Sequence, residues 1–130
     1  MPNIFTYDLP LIQNGDTIIL KAFANCYSTF SVKLINKSTG ETVGDTLVKN
    51  STVEIYKELP TLYFTYEQND LLTLVVTSEI ERNITAQVHA GALFSKNGIA
   101  GSTYTICIED ETDNDFNDIF ITLGTWKGGR

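Results

Sequence analysis

The stretch Tyr104-Thr105-Ile106-Cys107-Ile108-Glu109-Asp110-Glu111-Thr112-Asp113-Asn114-Asp115-Phe116-Asn117-Asp118-Ile119-Phe120-Ile121-Thr122-Leu123 joins two alternating apolar segments through a run that no apolar core accepts. Of the ten residues from Glu109 to Asp118, six are carboxylates and two are carboxamides. Like charges this close repel by roughly 1 kcal/mol per pair even in water, so an ordered loop of this kind calls for a counter-charge. Side chains that offer only oxygen select hard cations. Calcium is the usual one, because it accepts about six to eight oxygens in flexible geometry. Asp113, Asn114, Asp115, Asn117 and Asp118 imitate the opening of a helix-loop-helix calcium site, but the likeness ends there. Asp118 occupies the turn position that wants Gly, Gly124 the closing position that wants a bidentate Glu, and the flanks alternate as strands do. The motif is a loop between β-strands. It holds more anionic ligands than one calcium needs, which suggests two ions sharing carboxylates.

Working outward, the same alternation recurs along the chain, in Ile18/Leu20/Ala22/Ala24, Phe30/Val32/Leu34, Leu72/Leu74/Val76 and Ile84/Ala86/Val88/Ala90. Half-buried antiparallel strands give that pattern. Turn signals separate the runs: Asn14-Gly15-Asp16, Ser38-Thr39-Gly40, Lys49-Asn50-Ser51, Gln68-Asn69-Asp70 and Asn97-Gly98. Many short strands at such spacing predict an all-β fold, a sandwich or a barrel. With 130 residues and no linker, repeat or low-complexity tract, the chain is expected to form one domain over 1–130. The net charge of −7 is concentrated in the acidic run and no Lys/Arg cluster is present, which excludes nucleic acid as a partner. No apolar run approaches the roughly 18 residues of a membrane span, so no membrane insertion is expected. The N-terminus shows neither the basic segment nor the apolar segment of a signal peptide. The expectation is action outside the cell or at its surface after non-classical release.

Ala22-Phe23-Ala24-Asn25 near one end and Thr112-Asp113-Asn114-Asp115-Phe116-Asn117-Asp118 near the other resemble, as a pair, the calcium-dependent fucose/mannose-binding bacterial lectins typified by the Pseudomonas fucose-binding lectin. Phe5-Thr6, Leu9-Pro10 and Trp126 before a Gly-rich end are similar to that family's termini, whereas Ser31 to Leu93 match only in strand pattern. The resemblance implies an antiparallel β-sandwich of about nine strands, with two adjacent calcium ions per subunit whose coordination the sugar's hydroxyls complete. Carried over by position, Glu109, Asp113, Asp115 and Asp118 would ligate one ion and Asn25, Asp115, Asn117 and Asp118 the other, with Asp115 and Asp118 bridging. Asp110 takes the place of a residue that hydrogen-bonds the sugar, and Cys26 and Tyr27 take the place of the specificity loop. Cys26, Tyr27, Asp110, Asp113, Asp115 and Asp118 would thus surround the sugar.

The chain departs from the family pattern in three places. Cys26-Tyr27-Ser28 replaces small residues that face the sugar, and Glu111 stands where the family has Gly. The family's terminal carboxylate reaches the calcium of a neighbouring subunit, whereas here the chain ends Gly128-Gly129-Arg130, which makes Gly129 and Arg130 the candidates for that intersubunit role.

Other candidates for chemistry are thin. His89, the only His, alternates with Gln87 and Thr85 on the polar side of a strand and reads as a surface residue. Acids that run glycoside hydrolysis need separated, differently perturbed environments, which a decapeptide interleaved with carboxamides does not offer, so no enzymatic activity is expected. Cys26 and Cys107 read as two free thiols, with a disulfide between them as the alternative. The expected function is calcium-dependent binding of monosaccharides or cell-surface glycans of the fucose/mannose type, made multivalent by assembly into a homodimer or homotetramer. The alternative is a non-catalytic structural or adhesive module in which calcium only rigidifies the acidic loop.

Overall fold

The computed structural model describes residues 3–79, 84–109 and 118–127. They form the strands β1 (Asn3–Asp8), β2 (Asp16–Asn25), β3 (Phe30–Asn36), β4 (Thr42–Lys49), β5 (Tyr56–Glu58), β6 (Leu62–Thr65), β7 (Leu72–Ser78), β8 (Thr85–Ser95), β9 (Gly98–Glu109) and β10 (Ile119–Lys127). All pairings are antiparallel. One sheet has the order β1-β7-β3-β4, and the other β5-β2-β10-β9-β8, with β6 also paired to β2. Among the described residues no helix is long and apolar enough to cross a membrane.

The all-β sandwich is thus as the alternation predicts, and the strand count among the described residues is ten against the nine the resemblance implies. The extra strand arises along one flank of β2. Its first half pairs with β6 (Thr17↔Thr65 to Leu20↔Leu62) and its end pairs with β5 (Phe23↔Glu58 to Asn25↔Tyr56). Pro60 lies between β5 and β6, and a residue without an N–H cannot extend a ladder, so one long partner becomes two short ones.

The core lies between the sheets and is filled by every second residue. Ile18, Leu20 and Ala22 of β2, Ile106 and Ile108 of β9, and Ile119, Ile121 and Leu123 of β10 face Val32 and Leu34 of β3 and Leu74 and Val76 of β7. Each such aliphatic side chain contributes roughly 1.5–3 kcal/mol by leaving water. Tyr104 closes the core toward the N-terminal segment. Its hydroxyl accepts the Leu11 amide at 3.0 Å and its ring meets that of Tyr7 edge-on at 6.1 Å. Burial raises the pKa of this phenol, and the bond from Leu11 pulls the other way.

Two glycines mark special backbone. Gly98, at φ 110°, closes the tight β8–β9 hairpin after Asn97, as the Asn-Gly signal implies. Gly44, at φ 76°, sits inside β4 beside a register shift in its pairing with β3, a bulge the alternation does not reveal. On the outer side of β7, Thr73 donates to the Asp8 carboxylate at 2.8 Å, and Lys37 reaches the same carboxylate at 2.7 Å. The bond from Lys37 first, and that from Thr73 second, lower the pKa of Asp8.

Candidate functional site

The site is built by three strand ends. In the pairing of β2 with β10, Ala24 stands opposite Ile119, and in that of β10 with β9, Ile119 stands opposite Ile108. One residue further along, Asn25 meets Asp118, and Glu109 ends β9 next to Ile108, to which Asp118 is also bonded. Backbone bonds join these strand ends: the Asn25 amide donates to the Asp118 carbonyl at 2.8 Å, and the Asp118 amide donates to the Ile108 carbonyl at 3.1 Å, one residue off the Ile119↔Ile108 register, so Asp118 sits at an irregularity where β10 begins. Directly opposed residues of an antiparallel pair lie about 5 Å apart at Cα with their side chains on one face. For Asn25 that face is the one opposite the core, because Ala22 and Ala24 point inward.

Three of the six expected metal ligands are therefore brought together. Asp113, Asp115 and Asn117, with the sugar-contact candidate Asp110, lie outside the described residues, as do Glu111, Gly129 and Arg130. Among the described residues, no group of three or more His, Cys, Asp or Glu side chains forms a metal cluster. The strand ends themselves supply two carboxylates and a carboxamide. Glu109 is 1% exposed and Asp118 4% exposed, although both flank a strongly acidic segment. Burying a carboxylate costs several kcal/mol after relaxation unless opposite charge or strong hydrogen bonds offset it. Oxygen-only donors, pre-positioned on adjacent strands at the mouth of a segment with four more acids, fit a hard cation such as calcium.

The turn after Asn25 separates the roles of its two candidates. Cys26 is buried in the core, its amide donates to the Ile55 carbonyl at 2.9 Å, and its thiol points to the Ser28 carbonyl at 3.9 Å. Tyr27, 56% exposed, is the side chain this turn presents to solvent. Cys26 and Cys107 are both free thiols, Cys107 being on the outward face opposite Phe120. His89 is exposed on β8.

The sequence reading missed Lys49, which is fully buried. Its ammonium donates to the Ser28 carbonyl at 3.0 Å and to the Ser51 carbonyl at 2.6 Å, clamping the turn that carries Tyr27 to the segment before β5. The one signal for it is spacing, since Lys49 follows the inward-facing Leu47 by two residues and shares its face. Lys49→Met removes the donor from two carbonyls, and a buried acceptor left unsatisfied costs about 1–3 kcal/mol. A loss of about 2–4 kcal/mol in urea denaturation is expected. An unchanged midpoint would mean that water serves both carbonyls.

No protein-family model and no curated protein sequence matches this chain. Solved structures do. The C-terminal domain of a lectin from Burkholderia cenocepacia superposes with a TM-score of 0.68 at 18% identity, over 99% of this chain and 100% of that one. A high-affinity mannose-binding lectin of Ralstonia solanacearum superposes with a TM-score of 0.61 at 19% identity, over 97% and 96% of the two chains. A lectin of Chromobacterium violaceum, solved in complex with alpha-methyl-fucoside, gives 0.56 at 19% identity, over 91% and 100%. From end to end, the chain has the fold of these bacterial lectins.

Proposed function

We propose that this protein is a calcium-dependent lectin without catalytic activity, binding fucose- or mannose-type sugars through a pair of calcium ions. The observation that carries the reading is the convergence of Asn25, Asp118 and Glu109 at strand ends joined by backbone bonds at the mouth of the acidic segment, within a fold shared with sugar-binding proteins. Asn25, Glu109, Asp113, Asp115, Asn117 and Asp118 would hold the ions, with Asp115 and Asp118 shared. A bound calcium supplies open positions that vicinal hydroxyls fill in place of water, and hydroxyl geometry then discriminates among sugars. The protein's own part is to fix the oxygens in advance, and Tyr27 and Asp110 would border the sugar. Assembly into a homodimer or homotetramer, acting outside the cell or at its surface, would convert weak single sites into avidity.

A second reading has support in the deep burial of Glu109 and Asp118, which also suits ions that only stiffen the segment. Calorimetric titration with methyl α-fucoside and methyl α-mannoside, in calcium and in EDTA, separates the two. Heat of binding with at least one sugar, abolished by EDTA, is expected. Calcium binding without any sugar response would assign the ions a purely structural role.

A further inference from the structure

Asn25 has a neighbour on its other flank that is not a candidate metal ligand. On the far side of β2, Tyr56 of the edge strand β5 stands directly opposite Asn25, and Glu58 stands opposite Phe23. Directly opposed residues share a face, so Tyr56 and Asn25 stand side by side, and Asn25 is bonded on its other flank to Asp118. Tyr56 is 75% exposed, with no aromatic ring packed on it among the described residues. Phe23, by contrast, leans on Phe120 with ring centroids 6.1 Å apart. Between β2 and β5 lies an open hollow of about 460 Å³ lined by Phe23, Asn25, Tyr56 and Glu58.

We infer that this hollow is a second carbohydrate subsite, which receives the sugar unit glycosidically linked to the one held at the metal site. This inference rests on the lectin reading and deepens it. A pyranose has an apolar face of C–H bonds and a rim of hydroxyls. Phe23 and Tyr56 provide aromatic surface for the first, and the Glu58 carboxylate provides charge-assisted acceptors for the second. Asn25 belongs to both places: it is an expected metal ligand and it lines the hollow, so the two sites adjoin at this residue. Because β5 is a three-residue edge strand, the far side of the hollow is open, and a longer glycan can continue past it. The arrangement selects oligosaccharides by linkage, since only some linkages direct the second ring past Asn25 toward Tyr56.

The test uses the full chain in saturating calcium. Methyl α-mannoside and methyl α-fucoside are titrated beside α-1,2-, α-1,3- and α-1,6-linked mannobiosides and α-fucosyl disaccharides. At least one linkage is expected to bind about tenfold tighter than its monosaccharide. Tyr56→Ala should erase that gain while leaving the monosaccharide affinity and the calcium midpoint in place. Tyr56→Phe should keep most of the gain, and Glu58→Gln should lose part of it. Monosaccharide binding with no gain for any linkage, or a gain that survives Tyr56→Ala, would overturn the subsite alone. Absence of binding by every sugar would overturn the lectin reading and the subsite with it. If light scattering showed that Tyr56→Ala changes the mass of the assembly without touching the linkage gain, the ring would instead belong to a contact between copies of the chain.

Discussion

Stripped of divalent cations, the protein is expected to melt on the order of 10–20 °C lower than in millimolar calcium. The magnitude follows from linkage. A ligand that binds only the folded chain, present at about a thousand times its dissociation constant, stabilises by about 4 kcal/mol. For a domain of 130 residues each kcal/mol moves the midpoint by roughly 3–5 °C. The unfolded chain keeps its acids but loses the pairing that brings the strand ends of Asn25, Asp118 and Glu109 together, so its affinity for the ion is small. Part of the shift comes from the other side of the balance, because without a cation the six clustered carboxylates repel in the folded state. Differential scanning calorimetry in calcium, in magnesium and in EDTA reads the effect. Superimposed calcium and EDTA curves would remove the metal site, and an equal shift in magnesium would remove its preference for the larger ion.

Asp118→Asn is expected to lower calcium affinity and sugar affinity together, each by about 100-fold or more. The residue is bonded through its backbone to Asn25 and to Ile108, the neighbour of Glu109, and is expected to bridge the two ions, so one substitution weakens two coordination spheres. Loss of one partner from a buried charged cluster costs about 3–5 kcal/mol, which is at least two decades in affinity. The carboxamide keeps the shape and the backbone bonds of Asp118, so circular dichroism should show the same strand content. Asp115→Ala should behave the same way. Glu111→Gly, at a position that carries no expected ligand role, should leave both affinities near their starting values. Retained calcium-dependent sugar binding in Asp118→Asn would mean that the ions are not shared.

Legibility from sequence varied with the range of the interaction concerned. Strands were readable because burial on one face writes itself into alternate residues, as in Ile18, Leu20 and Ala22, and turns because Asn97-Gly98 needs a backbone few residues adopt. Asn25, Asp118 and Glu109 were readable as chemistry, through oxygen-only side chains in a tight run and a motif far upstream. Their convergence was not, since it depends on which strand neighbours which and in what register. The same gap hid Tyr56, which is 31 residues from Asn25 in sequence and opposite it in space. Lys49 escaped for another reason: a charge at an inward position reads as an exception to the pattern until two carbonyls are found waiting for it. The division of one flank into β5 and β6 needed Pro60 to be seen against β2.

Glu109 and Asp118 lie at the adjoining ends of neighbouring strands, so the segment that joins them begins and ends at almost the same place. Closing a flexible loop over such a short span depends only weakly on its length: doubling the number of residues adds about 0.6 kcal/mol. The ladder below is held by its own pairing and by Ile108 and Ile119 in the core. Residues can therefore be exchanged, added or removed between the two posts while the scaffold stays intact. On the proposed reading the two strand ends are a socket and residues 110–117 its insert, and a library confined to those residues would be expected to re-tune which cation, and through it which arrangement of hydroxyls, is accepted.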